Sequence, residues 1–180
     1  LFLLDFMSEH GAGFNGNHSI GDGTTTSSPS FKPVSGVSNV VDMHPYMWGA
    51  AVLRNDQTVW HWGGPQTTAV QVSGLSGVAS ISGGLALMPD GTVKTFGTGA
   101  ATATVPNISG ARMVSSNGTQ FYVQRSDGSM LAWGKNDGGQ LGDGTQTDRS
   151  TPVAMTALAG RTVTWLAANP AAQRVAIVTA

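Results

Sequence analysis

The chain has 180 residues, a formal net charge of −1 and no cysteine. That length suits one domain with a sizeable core, while the lack of cysteine rules out a disulfide framework and a thiolate site. Nine Lys and Arg scattered singly form no basic stripe that could neutralise phosphates, so nucleic acid is not expected as a partner.

Charged residues make up only 11% of the chain, glycine reaches 25 residues, and there is a single Glu. With abundant Ser and Thr, this mixture favours many short strands and tight turns over helices.

The first run, Leu1-Phe2-Leu3-Leu4-Asp5-Phe6, is too short to cross a bilayer or to form a complete secretory signal, and no membrane span is expected. It reads as a strand or docking segment. Its side chains need an apolar surface, which makes Leu1, Phe2, Leu4 and Phe6 candidate partner-binding residues. Next comes a polar loop, Asn15-Gly16-Asn17-His18-Ser19-Ile20-Gly21-Asp22-Gly23-Thr24.

Three similar stretches follow. Each begins with an apolar strand: Val37–Met43, Leu75–Ile81 and Ile108–Val114. Each continues into an inner run of small and branched residues (Ala50–Leu53, Leu85–Leu87, Phe121–Val123), then a turn (Asp56-Gln57, Asp90-Gly91, Asp127-Gly128). Asp-Gly is the strongest short-range hairpin signal available. Each closes on a strand ending aromatic-Gly: Thr58–Gly63, Thr92–Gly97 and Ser129–Gly134. Trp62 and Phe96 are 34 residues apart, Phe96 and Trp133 37 apart, and all three are expected in equivalent core positions. A fourth, looser copy starts at Leu158-Ala159-Gly160 and has its inner run at Val175–Val178.

The first stretch carries an insertion, His44-Pro45-Tyr46-Met47-Trp48, where the second has only Gly83-Gly84. Aromatic residues and Met on a loop are the types that anchor protein interfaces, so Tyr46 and Trp48 are the leading candidate contacts. The equivalent loops, 115–119 and 168–173, are expected to open on the same face.

No catalytic, metal or cofactor site emerges. Asp22, Asp143, Asp56, Asp90 and Asp127 are absorbed by loops and hairpins, and the remaining carboxylates show no pairing for acid–base work. His10, His18, His44 and His61 lack zinc spacing, Asn136-Asp137-Gly138-Gly139 fits no calcium-loop order, and no nucleophile elbow is present.

After the third stretch comes Trp133-Gly134-Lys135-Asn136-Asp137-Gly138-Gly139-Gln140-Leu141-Gly142-Asp143-Gly144-Thr145, running on to Arg149 and Pro152. Its Gly142-Asp143-Gly144 repeats the earlier Gly21-Asp22-Gly23; the glycines supply positive φ and the Asp side chains are expected to bond nearby amides. This motif resembles a repeat of the RCC1 family, in its bacterial or phage form. The resemblance implies a β-propeller: an all-β, propeller-like array of about four short antiparallel blades, an incomplete ring by the family's standard. The units would span a segment 1–14 and then about 15–64, 65–99, 100–151 and 152–180.

Fold carries no function by itself. The expectation is a non-enzymatic binding or structural module, part of a phage particle or bacterial surface assembly, located outside the cell or on a virion and contacting other protein chains as a homo- or hetero-assembly. The alternatives are a secreted propeller that inhibits or binds another protein and, from the family's known roles, a guanine-nucleotide-exchange regulator.

Overall fold

The computed structural model describes residues 9–46, 49–97, 100–161, 163–169 and 174–179. Contacts divide the chain into two compact units, Leu1–Ile81 with Phe96–Thr102, and Ser82–Thr95 with Ala103–Ala180. Apart from a 3-10 turn at Thr156–Leu158, the regular structure among the described residues is β. Three sheets have four strands in sequence order: β3 (Val40–Tyr46), β4 (Gly49–Arg54), β5 (Val59–Gly63), β6 (Gln66–Gln71); β7 (Ser80–Ser82), β8 (Leu85–Leu87), β9 (Val93–Gly97), β10 (Ala100–Thr104); and β11 (Ala111–Ser116), β12 (Gln120–Arg125), β13 (Met130–Gly134), β14 (Arg149–Ala154). Two-stranded sheets pair β1 (His10–Gly13) with β2 (Ser28–Pro33) and β15 (Val163–Asn169) with β16 (Arg174–Thr179).

The sheets share local chemistry. Register shifts at Val40/Asp42, Ala111/Met113 and Val163/Trp165 put a bulge at the same place in β3, β11 and β15. The residue immediately before β3 and β11 takes a positive φ, at Asn39 (59°) and Gly110 (63°), and Gly160 (76°) does so three residues before Val163. Each β4-type strand turns into its β5-type partner through an Asp that accepts from the residue two positions on. Asp56 takes the Thr58 N–H and hydroxyl at 3.1 and 2.6 Å, Asp90 those of Thr92 at 2.9 and 2.7 Å, and Asp127 those of Ser129 at 2.9 and 2.6 Å. A side chain that mimics a backbone turn in this way fixes the hairpin without needing a core.

In the first unit, Val34, Val40, Ala50, Val52, Trp62 and Ala69 form a buried cluster. In the second, Leu85, Val93, Ile108, Val123, Leu131 and Trp133 belong to one cluster, and Tyr122, Met130, Leu141, Met155 and Val163 to another. Trp62, Phe96 and Trp133 all occupy the penultimate position of their strands and are 3%, 5% and 6% exposed. Trp133 stacks on Phe121 with ring centroids 5.3 Å apart.

Candidate interaction surface

The two long loops join equivalent strands, β1 to β2 and β13 to β14, and each is organised by one buried asparagine. The Asn136 amide group donates to Asp143 Oδ1 (3.2 Å), to the carbonyl and hydroxyl of Thr145 (3.0 and 3.4 Å) and to Thr147 O (3.1 Å), while its Oδ1 accepts from Leu141 N at 2.9 Å. Asn15 does the same: to Asp22 Oδ1 at 3.1 Å, Thr24 O at 2.9 Å, Thr24 Oγ1 at 3.2 Å and Thr26 O at 3.3 Å, with Ile20 N donating to its Oδ1 at 2.8 Å. Both asparagines are fully buried, so these bonds satisfy groups that water does not reach.

Around this hub, Asp143 Oδ1 accepts from Thr145 N and Oγ1 at 3.0 and 2.8 Å, and Asp22 Oδ1 from Thr24 N and Oγ1 at 2.9 Å each. Gly21, Gly23, Gly142 and Gly144 have φ of 76°, 88°, 62° and 80°, values that a side chain resists. The loops differ in two charged contacts: Lys135 bonds Asp148 Oδ2 at 2.6 Å where the first loop has Phe14 and Ser27, and the second contact is to Asp143. Arg149 bonds Asp143 Oδ2 at 2.7 Å, a position that Ser28 occupies in the first loop.

These bonds set the electrostatics. Hydrogen bonds from Thr145, then the Arg149 guanidinium, hold Asp143 down to about 2. Backbone and hydroxyl donors lower Asp22 and Asp90, and Thr58 and Ser129 lower Asp56 and Asp127. Asp148 is lowered by Lys135, 2.6 Å away. Burial pushes the Tyr122 hydroxyl up to about 12, and that hydroxyl donates to Gln140 O at 2.9 Å. Burial lowers His61. Among the described residues no group of three or more His, Asp or Glu is placed to hold a metal ion.

Of the candidate contact residues, Leu1, Phe2, Leu4, Phe6 and Trp48 lie outside the described residues. Tyr46 is placed by its backbone as the last residue of β3. The corresponding β11–β12 turn is ordered by Asn117, whose Oδ1 accepts from Thr119 N (3.0 Å), Thr119 Oγ1 (3.1 Å) and Gln120 N (2.9 Å) and whose amide donates to Gln120 Oε1. Ser116 ties this turn to the β7–β8 turn by donating to Gly83 O at 2.9 Å. Reasoning from sequence passed over Asn15 and Asn136. Their signal was an Asn seven residues before the Asp of each Gly-Asp-Gly.

Residues 127–168 match the family model described as the Regulator of chromosome condensation (RCC1) repeat. Three solved structures share the architecture. Human WBSCR16 is 17% identical with a TM-score of 0.77 over 95% of this chain and 52% of its own. Yeast RCC1 (Prp20), in a structure with Kap60 bound, is 14% identical with a TM-score of 0.76 over 94% and 49%. Prp20p from Saccharomyces cerevisiae, solved together with a study of its binding to Gsp1p and histones, is 14% identical with a TM-score of 0.73 over 88% and 49%.

The fold is of the RCC1 type. Its four-stranded antiparallel sheets resemble RCC1 propeller blades, and the chain spans about half the length of the structures it matches. No curated protein matches it by sequence.

These relatives correct the sequence expectations. The RCC1 likeness is to human and yeast proteins, not specifically to bacterial or phage ones. The yeast matches, with Kap60, Gsp1p and histones as associates, overturn both the phage-particle or bacterial-surface component and the extracellular, cell-surface or virion location. The reason is physical: an Asn-centred loop and an Asp-capped hairpin record how a blade is held together, and neither carries information about where the protein works.

Proposed function

We propose that the chain is a non-catalytic protein-binding module of the nucleotide-exchange-regulator type, acting through contact with another protein chain. The likeness to yeast RCC1 (Prp20) over nearly the whole chain carries this reading, because that protein was studied for binding to Gsp1p. The electrostatics agree. The carboxylates with shifted acidity are held ionised by turns, whereas a general acid needs its pKa raised toward neutrality. Contacts centre on the β3–β4 turn, with Tyr46 and Trp48 as anchors, and on Leu1, Phe2, Leu4 and Phe6; aromatic anchors dominate protein interfaces.

The test is a titration of the chain into Gsp1p loaded with a fluorescent GDP, following binding and nucleotide release. Saturable binding with faster release is the expected result, and Tyr46→Ala and Trp48→Ala should each weaken binding by about tenfold. No binding at ~100 μM, about −5.5 kcal/mol, overturns the reading.

A further inference from the structure

Each four-stranded sheet hands the chain on through a linker, and one linker is longer than its counterparts. Val72 N donates to Val59 O and Val105 N to Val93 O, both at 2.8 Å, and Met155 N takes the same place on Met130 O at 3.0 Å. From there residues 73–77 and 106–110, five each, lead to Val78 and Ala111, whereas residues 156–162, seven in all, lead to Val163.

The short linkers close on the hairpin turn that precedes them. Val78 N donates to Gln57 O at 3.1 Å and Ala111 N to Gly91 O at 3.0 Å. A methyl group at Gly91 would meet Gly110 Cα at 2.8 Å, and the linker side chains Leu75 and Ile108 are buried. The long linker stands off. A methyl group at Gly128, the counterpart of Gly91, would meet nothing within 4 Å, and Leu158, the counterpart of Ile108, is only half-buried. Val163 is held by its carbonyl instead, which accepts from Gln124 Nε2 at 2.8 Å.

The space left is a cleft of about 470 Å³, the size of a small-molecule site. Met130, Met155 and Leu158 give it an apolar lining, Asp127 and Gly128 enter it from the turn, and Arg161 enters it from the linker. Linker length opens this cleft, and the hairpin turn that follows a linker does not fill it. That following turn takes the linker glycine's carbonyl, as Ser126 N does on Gly110 O at 2.7 Å, while the preceding turn packs on the same glycine's N and Cα. The cleft lies on the second side, between Gly128 and Gly160, and both its walls are among the described residues.

Two acceptors are left over there. Gly128 O, whose counterparts accept from Val78 and Ala111, and Asp127 Oδ2 have no hydrogen-bond partner among the described residues. In the equivalent turn Asp56 Oδ2 pairs with Arg54 Nη1 at 3.2 Å, but Arg125 donates to Asn107 O at 2.7 Å and leaves Asp127 open. The Arg161 side chain is exposed.

We propose that this cleft binds an apolar amino-acid residue with a free α-ammonium group, supplied as a free amino acid or as the N-terminus of a peptide. The ammonium donates to Gly128 O and Asp127 Oδ2, replacing the main-chain N–H that closes the shorter junctions. The side chain lies on Met130, Met155 and Leu158, and the carbonyl or carboxylate faces Arg161. A ligand with only a cation is opposed by Arg161 and one with only an anion by Asp127, so the pair selects a ligand that answers both. This site does not depend on the exchange-regulator reading.

Titration of the isotope-labelled chain, followed by NMR, tests it with three probes: L-leucine, the peptide Leu-Gly-Gly and N-acetyl-L-leucinamide. Saturable shifts at the Gly128, Ser129 and Gly160 amides are expected with at least one of the first two. Loss of the ammonium should make the acetylated probe at least about tenfold weaker. Tighter binding of leucine identifies a free amino acid as the ligand, and tighter binding of Leu-Gly-Gly a peptide N-terminus. Asp127→Asn should weaken binding by about tenfold, whereas Asp90→Asn, at a closed junction, should leave it unchanged. Deleting residues 161–162 restores a five-residue linker and should abolish binding in a chain that still melts cooperatively. No saturable shift at ~10 mM of either free-amine probe overturns the proposal, as does an acetylated probe that binds equally well.

Discussion

Asn15 and Asn136 make the same five hydrogen bonds to partners at the same four offsets along the chain, although 121 positions separate them. Each holds a loop from within by replacing the missing sheet partners of its backbone. Asn136→Ala should cost about 2–4 kcal/mol, from lost bonds and from groups left unpaired in a water-free site. Asn136→Asp should be worse at neutral pH, because a carboxylate would face the Asp143 carboxylate and the Thr145 and Thr147 carbonyls. Urea unfolding decides it; an Asp variant as stable as the parent would reverse the donor and acceptor roles of the Asn136 side chain.

Trp133 fills the space between Phe121 and the apolar side chains around Leu85 and Val123. Truncation to Ala should destabilise the chain by about 3–5 kcal/mol. A loss well under about 1 kcal/mol would remove Trp133 from the core.

Gln57 has φ 63° at the hairpin position where Gly91 and Gly128 have 77° and 84°. A side chain there resists the left-handed region by about 1–2 kcal/mol, against roughly 0.5–1 kcal/mol of extra unfolded-state entropy for glycine. Gln57→Gly should therefore raise stability by up to about 1 kcal/mol, and Gly128→Ala should lower it by a similar amount. Thermal melts that move in the opposite directions would show that these turns are not equivalent.

Acid should weaken the second long loop. An unfolded Asp titrates near 3.9, whereas Asp143 in the folded chain is held at about 2. The unfolded state therefore takes up the proton first. The stabilisation is complete above the unfolded value and is lost as pH falls through that value toward 2. The melting temperature should drop below pH ~4, and Asp143→Asn should flatten part of that limb. An unchanged limb in the variant would assign the acid sensitivity elsewhere, with Asp22, Asp56, Asp90 and Asp127 lowered in the same direction.

Much of the all-β architecture was legible because its determinants are short-range. Asp56, Asp90 and Asp127 each act over two residues, and such a pattern can be read directly in a sequence. Asn15 and Asn136 were harder to read because each spans offsets from five to eleven residues, and only folding brings those partners to one amide. The Tyr122–Gln140 bond and the seating of Ser19 on Trp62 depend on which strands become neighbours. The working environment of the protein was misread for a different reason. Low charge and absent cysteine restrict chemistry, but they do not name a compartment.

Residues 64–65 join β5 to β6, and residues 135–148 join the equivalent β13 to β14. Two strands of the same kind thus accept connections of very different length. The longer one carries its own polar hub, so the sheet need not be altered to host it. That makes residues 135–148 a self-contained insert, whereas the short Gly64-Pro65 turn is held from outside, by the bonds of Gly64 to Asn17 and His18, and does not accept a longer connection without losing them.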